Sequence, residues 1–114
     1  MNSNQSQAAE GPSLNLLEEA KHALAITWDE EDKDIIKLID RSVYFINDLT
    51  GVELDLEVNF AARELVINRV RYDYNNALDE FEDNYRQPLS RLILHAAINE
   101  RNKENADETA SKNL

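Results

Sequence analysis

A chain of 114 residues with 12 Lys and Arg against 23 Asp and Glu carries a formal charge of −11, and its length allows one domain with one modest core. The lack of cysteine excludes disulfides, thiolate metal sites and a thiol nucleophile, and fits a reducing compartment. Two glycines cannot furnish an all-β fold or a phosphate-cradling loop, no apolar run of about 18 residues could span a membrane, and the acidic balance argues against broad phosphate binding.

Residues 1–12 are polar and lack the basic and apolar regions of a signal peptide, so they read as a flexible leader. A first helix is predicted from Ser13 or Asn15, with Glu18 completing a capping box. Leu14, Leu17, Ala20 and Leu24 form its apolar face, and Ala25-Ile26-Thr27 ends it. The second helix is capped by Thr27 or Asp29, and the carboxylates of residues 29–32 lie at the positive end of its dipole. Ile35, Ile36, Ile39, Val43, Ile46 and Leu49 follow at helical spacing, with Tyr44 and Phe45 widening the stripe and Gly51 placed for a left-handed closure. Residues 52–56 read as a connector.

Asp55 is the expected cap of helix three. Val58, Ala61, Ala62, Leu65, Val66, Arg69 and Val70 are its expected stripe, with an end near Ala77. Phe81, Tyr85 and Leu89 recur every four residues, so residues 79–86 are predicted helical, with a break or kink at Pro88. Residues 89–98 fit either another short helix or a strand, because periodicity does not separate the two over so short a run. Residues 99–114 have no apolar residue larger than Ala before Leu114 and read as a flexible acidic tail. The expected fold is all-α: a small bundle of four to five short helices over residues 13–98, with flexible ends.

Catalytic and metal chemistry find little support in this pattern. Glu19 and His22 form one Glu-x-x-His pair, but Leu92 stands where a second glutamate would precede His95. The acidic run 29–34 lacks the glycine and the twelfth-position glutamate of a calcium loop, and a dipole-matched helix start explains it better. Neighbouring carboxylates such as Glu82 and Asp83 point different ways on a helix and stay in water, so no general acid–base pair is expected. No catalytic residue, cofactor site or metal site is assigned. Arg69, Arg71, Tyr72 and Tyr74 could stack on and neutralise a nucleic acid. Arg63, Arg69 and Arg71 nevertheless cancel against Glu57, Glu64 and Asp73 over residues 57–78, so a protein interface fits better. Trp28, Arg69, Arg71, Tyr72, Tyr74, Phe81 and Tyr85 are the expected interface residues. A thin core with this many aromatic residues further suggests cover by neighbouring subunits.

The order of elements and several local strings resemble the head–tail connector (head completion, or adaptor) proteins of tailed bacteriophages. The strings are Leu16-Leu17-Glu18-Glu19-Ala20-Lys21, Ile26-Thr27-Trp28-Asp29-Glu30-Glu31-Asp32 and Phe45-Ile46-Asn47-Asp48-Leu49-Thr50-Gly51. They continue with Arg71-Tyr72-Asp73-Tyr74-Asn75-Asn76-Ala77 and Phe81-Glu82-Asp83-Asn84-Tyr85, then a short apolar stretch to Leu94. The resemblance spans about residues 14–95 and implies a helical, non-enzymatic subunit of a ring of about a dozen copies, closed by repeated contacts. It implies a portal protein on one side, a tail-side connector or stopper protein on the other, DNA only as passing cargo, and no membrane. The expected location is the head–tail junction of the virion, and the host cytoplasm before assembly. An acidic channel wall would repel DNA phosphates and let the genome slide; carboxylates of helix two or of residues 79–83 are the expected lining. The alternative is a small acidic regulator or DNA mimic that binds a host or phage protein. The leader and acidic tail are longer than the resemblance implies.

Overall fold

Five helices follow one another in the computed structural model, which describes residues 12–112 and the side chains of residues 16–109. They are α1 (Pro12–Ala23), α2 (Asp32–Thr50), α3 (Phe60–Tyr74), α4 (Leu78–Asn84) and α5 (Arg86–Lys112), with no strand among the described residues. The fold is the all-α bundle expected, and the helix–strand ambiguity at residues 89–98 resolves as helix. The expected leader, residues 1–12, lies outside the described residues but for Pro12.

α1, α2 and α3 pack against one another, while α4 and the first half of α5 cover α2 and α3 from the other side. The core runs through all five: Leu16, Leu17 and Ala20 meet Ile35, Ile39 and Ile46, then Leu65, Val66 and Val70, and close on Phe81, Leu89 and Leu92. Side chains four and three residues apart share a helical face, which is why these stripes converge.

The described part of α1 opens with Pro12, whose fixed φ is compatible with the early turn of a helix. The backbone of residues 13–15 is already helical, so the expected starts at Ser13 and Asn15 fall inside the described helix. At the other end Ile26 N–H bonds to Lys21 O at 2.8 Å and Ala25 N–H to His22 O at 3.1 Å, with Ala25 at φ +60°. That double bond pattern closes a helix through one left-handed residue, which here carries a Cβ. Ala25→Gly is therefore expected to raise stability by about 0.5–1 kcal/mol in urea unfolding. α3 ends the same way, with Ala77 N–H on Tyr72 O, Asn76 N–H on Asp73 O and Asn76 at φ +59°. Asn tolerates that conformation better, and it ends the helix at Tyr74, before the expected Ala77. Gly51 closes α2 as expected, at φ +78° with its N–H on Asn47 O.

Several expected caps are displaced. Glu31 precedes α2 without a side-chain cap, because Asp29 is engaged elsewhere. Asn59 caps α3 by accepting the Ala62 N–H at 3.0 Å, whereas Asp55 closes the preceding turn by accepting from Glu57 N–H. Val58 consequently lies before the helix and is 77% exposed rather than part of its apolar stripe, and Ala61 is exposed as well. The break near Pro88 falls at Tyr85, which separates α4 from α5 and accepts the Leu89 N–H. Pro88 itself sits in the first turn of α5, where no intrahelical donor is required.

α5 departs most from expectation. It continues through residues 99–112 as helix, giving a rod of roughly 40 Å at the usual rise per residue. Residues 101–109 are all exposed, so the packed domain still ends near Ile98 and the extension buries nothing of its own. Ending the chain after Glu100 is expected to leave unfolding stability within about 0.5 kcal/mol of the full chain.

Candidate functional site

The expected interface residues divide into three groups. Phe81 is not a surface contact: it is 1% exposed and lies at the centre of an aromatic cluster. Its ring stacks on Tyr85 at 4.9 Å and meets Tyr72 and Phe45 edge-on at 5.6 and 6.3 Å. The four-residue spacing of Phe81, Tyr85 and Leu89 turns this face inward across α3, so the short α4 is pinned by its one buried side chain. Tyr72 and Tyr85 are half-buried members of the same cluster, and Asn84 donates to the Tyr72 hydroxyl at 3.0 Å. Burial, with the Tyr72 phenol beside it, raises the Tyr85 pKa.

Arg69 also points inward. Its guanidinium lies 4.3 Å from the Phe45 ring centroid and donates to Ser42 Oγ at 3.2 Å. Desolvation lowers its pKa, opposed by the Asp73 carboxylate nearby; as a guanidinium it stays charged. Ser42 is fully buried in the middle of the α2 stripe, between Ile39 and Ile46. Sequence reading placed Val43 there; the buried serine exists to meet Arg69. Arg71 is exposed and donates to Asn68 Oδ1 on its own helix.

Trp28 and Tyr74 belong together, through a residue the sequence did not single out. Glu31 accepts the Trp28 indole N–H at 2.7 Å on one carboxylate oxygen and the Tyr74 hydroxyl at 3.0 Å on the other. That hydrogen bond raises the Tyr74 pKa, because ionisation would set a phenolate against the carboxylate. Trp28 is thereby held in a fixed pose while 45% exposed. The same linker is tied down by Lys21, a residue 4% exposed whose ammonium lies 2.7 Å from Asp29 Oδ1 and 2.8 Å from Asp32 Oδ1. Hydrogen bonding to the two carboxylates, Asp29 first, raises its pKa. Lys21 follows Leu17 by four residues on the inner face of α1, with acids eight and eleven residues on. That signal was present in the sequence and went unread.

The other charged groups that suggested chemistry serve structure. Glu19 pairs with Arg63 at 2.7 Å, leaving His22 exposed without it, and Arg41 pairs with Asp73 at 3.0 Å. Among the described residues no three His, Asp or Glu side chains converge to hold a metal ion.

Among its charged groups the surface also presents large apolar side chains. Tyr44, Val58, Phe60 and Leu94 are each more than half exposed, and Ile93 and Ile98 more than a third. Two open depressions accompany them. One, on α2, is lined by Asp40, Arg41, Tyr44, Phe45, Asp48 and Arg69. The other is a cleft of about 260 Å³ between α3 and α5, with Ala61, Leu65, Pro88 and Leu92 as its apolar lining, Tyr85 beside them, and Glu64, Asn68, Arg91 and His95 around them. No helix among the described residues is long and apolar enough to cross a membrane. Compared with known proteins, the chain matches no protein-family model, no curated protein and no solved structure.

Proposed function

We propose that this chain is a structural adaptor: a subunit of a phage head–tail connector ring that assembles under the portal, extends the DNA channel and docks the next tail component. One observation carries this reading beyond the resemblance in its strings. The exposed large apolar side chains are spread over separate parts of the body, with Trp28 on the α1–α2 linker, Tyr44 on α2, Phe60 at the start of α3 and Leu94 on α5. Such residues offer separate apolar points of contact of the kind a ring subunit would use on its two flanks and at both ends. In this reading the protein works by protein–protein contact alone, in the host cytoplasm first and then at the head–tail junction of the virion. Exposed carboxylates such as Asp40, Asp48, Asp79 and Glu82 would face the DNA, which passes as cargo.

Negative-stain imaging of the protein mixed with the portal of the same phage tests the proposal. A collar of added density beneath the portal is expected. A bare portal, together with stoichiometric binding to a single other protein, would replace this reading with that of an acidic regulator or DNA mimic. A basic lumen in the assembled collar would overturn the proposed channel lining.

A further inference from the structure

We propose that the cleft between α3 and α5 of one subunit receives Trp28 of a second copy of this chain, in a head-to-tail contact. At about 260 Å³ the cleft falls below the usual range for a drug-sized ligand, yet it has room for one large aromatic side chain. Its lining is apolar at Ala61, Leu65, Pro88 and Leu92. The apolar surface continues past the mouth: Phe60 lies one turn before Glu64 on α3, 76% exposed, and Ile98 lies seven residues after Arg91 on α5.

Trp28 suits this cleft in pose and in charge. Glu31 holds the indole N–H, with Tyr74 bracing the same carboxylate, so the ring loses little freedom when it docks. A fixed, half-exposed tryptophan is the kind of side chain that anchors an interface. In the residues that follow it, Glu30, Lys33 and Asp34 are exposed and have no partner among the described residues, two acids against one base. Arg91 and His95, on the cleft rim, are likewise exposed and unpaired, against one carboxylate there, Glu64. In a chain of charge −11, a rim with a free arginine facing an acid-flanked tryptophan is complementary.

Knob and cleft lie on different sides of the subunit. Trp28 reaches α3 through Tyr74, while the cleft uses Ala61, Glu64, Leu65 and Asn68, a different face of that helix. A contact between two unlike patches leaves one knob and one cleft open at the ends, so it propagates and closes into a ring when the rotation permits. Closure rests on the connector reading above; the contact itself is testable in the free chain.

Two variants test it. Trp28→Ala removes the knob and the chain's sole tryptophan, and Ala61→Arg fills the cleft from an exposed helical position. Sedimentation at chain concentrations up to about 1 mM should show wild-type self-association weakened at least about tenfold in either variant. Mixed together, the two variants should form a 1:1 dimer of twice 13.1 kDa, because each supplies what the other lacks. The indole emission of Ala61→Arg should shift to the blue as Trp28→Ala is added. An unchanged mass and emission in the mixture, or wild-type association by Trp28→Ala, would overturn the contact. A bare portal beside an intact heterodimer would overturn only the connector reading. A collar formed equally well by Trp28→Ala would overturn only this contact.

Discussion

Replacing Phe81 with alanine is expected to remove about 3–5 kcal/mol of stability, a large share of the roughly 5–15 kcal/mol that holds a domain of this size together. The ring is fully buried and touches aromatic rings from α2, α3 and the junction between α4 and α5. α4 has seven residues, too few to persist as a helix without tertiary packing. Its loss would therefore loosen the turn that directs α5 back over α3. Urea unfolding should show a lower midpoint with a preserved slope, and Phe81→Leu, which keeps most of the apolar volume, should cost less. A loss below about 1 kcal/mol for alanine would show that the cluster is not the keystone of the second layer.

Lys21→Met is expected to give the next largest loss, and to do so in a pH-dependent way. Methionine keeps the apolar stem but leaves Asp32 Oδ1, buried with no other hydrogen-bond partner, without the ammonium that lies 2.8 Å away. The linker carrying Trp28 would lose its anchor to α1 at the same time. Because the native lysine pKa is raised above its ordinary 10.5, the stabilisation is fully present below that value and fades as pH climbs through the higher native one. The gap between wild type and Lys21→Met should stay level up to about pH 10 and narrow beyond it. Asp32→Asn added to Lys21→Met should recover part of the loss, since it removes the uncompensated charge. A constant gap at every pH would assign the effect to packing alone.

How far the sequence could be read depended on the range of the interaction involved. The α2 stripe, the left-handed closure at Gly51 and the helical turn that faces Phe81 inward all rest on contacts within a few residues. These were legible. Trp28 was correctly placed in a linker, and its exposure is what the structure finds. Boundaries were less legible, because Asn59 and Asp55 offer the same capping chemistry four residues apart, and which one caps depends on how Leu56 is buried in the core.

The expected surface role of Phe81 is contradicted by its burial for a related reason. Sequence shows that Arg69, Tyr72 and Phe81 share a composition typical of interfaces, but the same side chains also build interiors. Only packing revealed that Phe45 and Ser42 take up Arg69, and that α4 folds Phe81 beneath Tyr72. The Glu31 clamp, joining residues 43 apart, and the α3–α5 cleft likewise belong to the assembled bundle. Local periodicity and capping determined that this chain is helical and where its main apolar stripes run, because those properties depend on neighbours in sequence. Tertiary structure decided which charged and aromatic groups are buried and which remain to meet a partner, because that depends on where distant helices cross.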